Sequence, residues 1–199
     1  MKRILVTCFE PFGGENTNSS MTATQDLSAP EGWEMHRVVL PVLFSVAASR
    51  VMEEAGRLRP DVILLTGQAG SRSYVSVEAM ARNVRNAAIP DNGGYMPVNE
   101  KIAVNGAEAC ATGIDAEELV ERMRKRGINA RLSTDAGSFV CNDVYYSVLK
   151  YLRGTGADIV FIHLPYVLEE AQHPSGMSLE RQQAALGIAV NFLTGEERK

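Results

Sequence analysis

Residues 61 to 72 read DVILLTGQAGSR. The core of this stretch, Val62-Ile63-Leu64-Leu65, has no polar alternation, and it stops at a turn carrying Gly67 and Gly70. A strand apolar at every position is covered on both faces, which is the mark of a parallel strand layered between helices. Residues 4–7 and 158–163 repeat the pattern, and 35–40 and 130–133 read as further strands. Between them run segments of helical period. In 45–58, Val46, Val51, Ala55 and Leu58 form one stripe, with Gly56 weakening the last turn. In 116–126, Leu119, Val120 and Met123 point inward, and Gly127 follows at the position that ends a helix in the left-handed conformation. Segments 142–152 and 178–193 complete the set, the last with Ser178 as N-cap. Strands alternating with helices predict an α/β fold: a three-layer α/β/α sandwich around a largely parallel, mixed central sheet. Residues 74–84 differ, because Val75, Val77, Ala79 and Ala81 alternate with Ser76, Glu78, Met80 and Arg82. That period of two predicts one extended ribbon with Glu78 on its polar face. Residues 85–113 are rich in Gly, Asn, Pro and Asp and read as a long irregular loop.

The chain has 199 residues, 45% of them hydrophobic and 22% charged, with a formal net charge of −4. That length fits one domain over 1–199. The acidic balance argues against nucleic acid and against an anionic membrane surface. No apolar run reaches membrane-spanning length, and Met1-Lys2-Arg3 leads straight into the first strand without a secretory apolar core. Three scattered cysteines, Cys8, Cys110 and Cys141, make a poor disulfide framework and fit a reducing cytoplasm. No His stands at metal-ligand spacing to a Cys.

In an open parallel sheet, ligands bind beyond the carboxyl ends of the strands. Four segments fall there: CFEPFGG at 8–14, GQAGSR at 67–72, GSFVCND at 137–143 and HLPY at 163–166. Cys141 precedes the helix expected over 142–152, where free N–H groups and the dipole favour a thiolate. It is a candidate nucleophile, although a free cysteine is more often a small buried hydrophobe. His163, at the rim of the sheet, is better placed as general base than His36 or His173. Glu78 is the first choice for the acid that orients the imidazole, with Asp135 and Asp143 as rivals. Phe9 and Phe12 either close the core or line an apolar pocket with Phe139 and Val140, suited to a small, flat, uncharged ring. The glycine-rich turns match neither nucleotide fingerprint, and Arg72 is the only basic residue beside either of them.

Taken in order, FEPFGG, GQAG, the following Glu, IPDN at 89–92, GSFVCN and FIHLPY resemble the pyroglutamyl-peptidase I family, also called pyrrolidone-carboxylate peptidases. The resemblance covers nearly the whole chain. It implies a cytoplasmic cysteine peptidase that removes N-terminal pyroglutamyl residues from peptides, built as a single α/β/α domain, homotetrameric, without metal or cofactor. It implies Cys141 as nucleophile, His163 as base and Glu78 as acid. It further implies an apolar cage of Phe9, Phe12, Ile89, Phe139 and Val140, with backbone near Gln68 and Ile89 bonding the lactam. Three positions depart from the family pattern. Cys8 replaces a Gly beside the expected pocket and would narrow it. Asn18-Ser19-Ser20 replaces Asn-Pro-Ser and would loosen the next helix start. Ala88 replaces the Arg before IPDN, with Arg85 as the nearest substitute. Cys8 and Ala88 keep open a non-catalytic or altered-specificity homologue that binds a lactam or small amide; a further alternative is a nucleoside phosphorylase-like enzyme on a related α/β scaffold, which needs a cationic phosphate site.

Overall fold

The structure is a computed structural model that describes residues 1–169 and 176–196. In chain order its elements are β1 (Lys2–Phe9), α1 (Ser19–Ala23), β2 (Trp33–Leu40), α2 (Val46–Leu58), β3 (Val62–Gln68), β4 (Val75–Glu78), β5 (Met80–Arg82), β6 (Ala109–Ala111), α3 (Ala116–Lys125), β7 (Ala130–Ser133), α4 (Val140–Leu152), β8 (Asp158–Leu164) and α5 (Leu179–Thr194). The main sheet runs β2-β1-β3-β8-β4-β7. Every neighbouring pair is parallel except β4 and β8. The chain is therefore α/β with a mixed, mostly parallel sheet between two helical layers, as the fully apolar strands require.

Alternating side chains divide the core in two. Ile4, Val6, Val62, Leu64, Val75, Val77, Val160 and Ile162 pack under α3 and α5. Leu5, Phe9, Ile63, Leu65, Ile159 and Phe161 pack under α2 and α4. The stripe of α2 is Ala47, Ala48, Val51, Ala55 and Leu58, while Val46 is half exposed rather than buried. At the end of α3, Gly127 at φ 76° donates to Arg124 O, and the Ile128 N–H reaches Met123 O. This double closure brings Ile128 onto Met123 in the core and is the ending Gly127 predicts. Ser178 does stand at the N-cap of α5, but its side chain makes no capping bond.

Three expectations need correction. Residues 74–84 form two strands in different sheets, since β4 lies between β8 and β7 while β5 pairs with β6 alone. Helix α4 starts at Val140, two residues early, so Cys141 lies in its first turn. The stretch 85–113 is irregular except for β6 and one bridge between Arg85 and Glu100. Three residues of sequence Ala-Cys-Ala carry no strand signal.

Candidate active site

Two glycines shape the floor of the site. Neither Gly67 nor Gly70 has a positive φ, so neither is there for a turn. Both are there for close approach. A Cβ on Gly67 would stand 2.8 Å from Phe161 Cζ and 2.9 Å from Cys141 Sγ. The Tyr166 ring lies directly over Gly70. Gly67 is also the register partner of His163 on the adjacent parallel strand. In-register partners direct side chains to one face, and neighbouring strands lie about 4.8 Å apart. The Cys141 sulfur therefore sits over the same face of the sheet that carries the His163 ring, and both line one cavity.

His163 Nδ1 lies 2.8 Å from Glu78 Oε1. The antiparallel register makes this pair possible, because His163 opposes Ser76 and Glu78 lies two residues on, along the same face. Glu78 is fully buried, on the face beneath α4, and not on a solvated polar face. Burial works against its charge, but the hydrogen bond and charge of His163, helped by the Arg72 hydrogen bond, outweigh burial and hold the carboxyl below its usual range. An ionised carboxylate only accepts, so the proton of that bond sits on Nδ1, and in the neutral imidazole Nε2 then carries the lone pair. Arg72 Nη1 donates to the same Glu78 oxygen at 2.6 Å, and Nη2 donates to Asp135 O at 2.9 Å.

The other candidates are engaged elsewhere. Asp143 accepts from Arg85 Nε and from the Ser45 N–H, both at 2.7 Å. Asp135 is an exposed side chain beside Arg82. His36 pairs with Glu34 on the edge strand β2. His173 lies outside the described residues. Arg85 is spent on Asp143 and does not replace a cation at Ala88, which is exposed. Arg72 is likewise committed, so the glycine-rich turns offer no free cation for a phosphate.

Cys141 reverses one expectation. Its place in the first turn of α4 favours a thiolate, yet burial pushes the thiol up to about 12, and the Glu78 charge adds to this. Backbone N–H groups and Arg72 pull in the other direction without winning. Cys141, Asn142 and Asp143 are consecutive, and the last two fix the first. Asn142 exchanges bonds with the backbone of Arg82 and donates to Val84 O, while Asp143 binds Arg85 and the start of α2.

A cavity of about 260 Å³ opens over these groups. Phe9, Phe12, Phe139, Val140, Gln68, Arg72, Cys141 and His163 all line it, and among the described residues no acidic one does. Phe12 and Phe139 face each other with ring centroids 5.9 Å apart. Ile89 is not in the wall; it is 43% exposed and packs against Gly13. The Gln68 side chain accepts from the Ser19 N–H. Cys8 does not narrow the cavity, since it is buried on the opposite face from Phe9, with Sγ near Val38 O. The start of α1 is not loose either: Asn18 Oδ1 accepts from both the N–H and the hydroxyl of Ser20.

A family model described as pyroglutamyl peptidase matches residues 2–196. The chain belongs to the pyroglutamyl peptidase family. It is 38% identical to a pyrrolidone-carboxylate peptidase of Thermoanaerobacter sp. strain X514, over 98% of this chain and 100% of that one. It is 41% identical to one of Chromobacterium violaceum, over 96% and 92%. The fold superposes on the crystal structure of Bacillus amyloliquefaciens pyroglutamyl peptidase I with a TM-score of 0.90 at 33% identity, covering 98% of each chain. Pyrrolidone carboxyl peptidase from Thermococcus litoralis gives 0.91 at 29%, covering 100% and 99%. Within a peptidase of this family, a methyl group on Gly67 meets the sulfur directly. Gly67→Ala is expected to lower kcat about 100-fold with little change in KM, because it displaces the sulfur while leaving the ring pocket in place. Steady-state kinetics on a pyroglutamyl amide checks this.

Proposed function

We propose that this chain hydrolyses the bond after an N-terminal pyroglutamyl residue of a peptide, with Cys141 as nucleophile, His163 as general base and Glu78 as the group that orients and charges the imidazole. The observation carrying the proposal is the sulfur over Gly67, at one cavity with an imidazole held by a buried carboxylate and with aromatic walls. A free α-amine needs an anionic anchor, and among the described residues this wall has none. A lactam presents two flat apolar faces, one N–H and one C=O, which phenylalanines and backbone groups suit.

His163 Nε2 takes the thiol proton as the sulfur attacks the pyroglutamyl carbonyl. Coupling the two steps is what makes a resting thiol usable. Phe139 offers no side-chain cap to α4, which leaves first-turn N–H groups for the oxyanion. The imidazolium then protonates the departing amine, and water activated by His163 cleaves the thioester to pyroglutamate. Phe9, Phe12, Phe139 and Val140 hold the ring, Ile89 covers the mouth, and backbone at Gln68 bonds the lactam. No step passes through a metal or cofactor. The same reading takes 1–199 as one domain and, by family membership, as a cytoplasmic homotetramer. Among the described residues no helix is long and apolar enough to cross a membrane, in keeping with a peptide as partner.

Proline differs from pyroglutamate by an amine in place of the lactam, so paired pyroglutamyl and prolyl amides test the proposal. The pyroglutamyl amide is expected to turn over at least about 100-fold faster. Equal rates would overturn the lactam reading. Saturable binding of pyroglutamate without turnover would favour a binding homologue instead.

A further inference from the structure

We infer that Arg72 is a positioning residue of this site: its guanidinium clamps the Glu78 carboxylate under His163 and ties it to the loop that leads to Cys141. The inference rests on the reading of Cys141, His163 and Glu78 given above. Two donors converge on one oxygen, Arg72 Nη1 at 2.6 Å and His163 Nδ1 at 2.8 Å from Glu78 Oε1. The other oxygen, Oε2, is buried and accepts no hydrogen bond. The Ser133 hydroxyl is turned to the Asp135 backbone. A buried carboxylate held on one side only is free to rotate unless both donors fix it. Arg72 is the cation that offsets its charge, with 22% of its own side chain exposed.

The second arm of the fork reaches Asp135 O at 2.9 Å, at the head of the loop 135–139 that delivers Phe139 and Cys141. The backbone N–H of Arg72 is closed onto Ala69 O, so the fork is anchored in the turn beyond Gly67. One side chain thus joins the β3 turn, the end of β4 and the entrance to α4. The charged and titratable groups facing it are Glu78 from β4, His163 from β8, Cys141 from α4, and Asp135 with its partner Arg82 at the rim. Removing a cation from that cluster makes the Cys141 proton harder to remove, and Arg72 is one of the groups that ease its loss.

The test compares Arg72→Gln and Arg72→Lys with the wild-type chain by two readouts. One is kcat and KM on a pyroglutamyl amide. The other is the pH dependence of iodoacetamide alkylation at Cys141, read by mass spectrometry. Arg72→Gln is expected to lose about 100-fold in kcat, to keep KM within about threefold, and to slow Cys141 alkylation about tenfold at each pH tested. Arg72→Lys keeps the charge but not the fork. Its profile is expected to stay near wild type while kcat falls about tenfold. Wild-type turnover and alkylation in Arg72→Gln would overturn the inference. So would a loss expressed only in KM, which would make Arg72 a substrate contact. Should Arg72→Gln fail to fold, wild-type kcat in Arg72→Lys overturns it alone. A wild-type chain inactive on the amide defeats the proposed function, while the alkylation comparison still decides the place of Arg72.

Discussion

Cys141→Ser loses turnover of a pyroglutamyl amide by about 10⁴-fold or more and melts at close to the wild-type temperature. The sulfur is the only atom changed, and its neighbours tolerate the smaller oxygen: Gly67 leaves space below, and Asn142 and Asp143 fix the helix without help from Cys141. A hydroxyl in the same buried place is much harder to deprotonate than a thiol, so the base at His163 no longer suffices. Kinetics together with thermal melting separate lost chemistry from lost fold. An active Cys141→Ser protein would remove this sulfur from the mechanism.

Glu78→Gln is the second large effect, expected at about 10³-fold in kcat. The amide still fits the site, but it neither charges the imidazole pair nor balances Arg72. It also allows the opposite imidazole tautomer, with Nδ1 accepting from the amide, which takes the lone pair away from Nε2. A pH signature accompanies it. The Glu78 carboxyl is held below its ordinary 4.5. A depressed carboxylate contributes stability that is fully present above the unfolded value and is lost as pH falls through the lower folded value. Denaturant titrations from neutral pH into that acid window should show a steeper loss for wild type than for Glu78→Gln. Equal slopes would mean that Glu78 is not held as an anion.

The centre of the sheet was legible because β1, β3 and β8 are buried on both faces and so read as largely apolar runs. Helix α1, five residues long, and β6, three long, fall below the length at which periodicity shows. The alternation in 74–84 was real, but its meaning was misread. Val75 and Val77 face α3 and α5, whereas Ser76 and Glu78 face the layer that holds the site. There the polar face of β4 meets a histidine, not solvent. Cys141 and His163 stood out as candidates from their places at strand ends, Glu78 from the polar face of 74–84, and all three from a family pattern. Arg72 was not, because its contacts depend on a fork between two segments far apart in sequence. The resting state of Cys141 was misjudged for a related reason. The helix N-terminus is visible in sequence, and the burial that outweighs it is not. The glycines of GQAG were read as a turn, and only packing shows that Cys141 and Tyr166 occupy the space their side chains would take.

The central claim is that the Cys141 sulfur is the nucleophile, activated through the imidazole that shares its cavity. Titrating the protein with iodoacetamide, while following modification of each cysteine and residual activity on a pyroglutamyl amide, tests it most directly. Activity should fall in one-to-one proportion to Cys141 modification and should not follow Cys8 or Cys110. Undiminished turnover in protein fully alkylated at Cys141 would contradict the account.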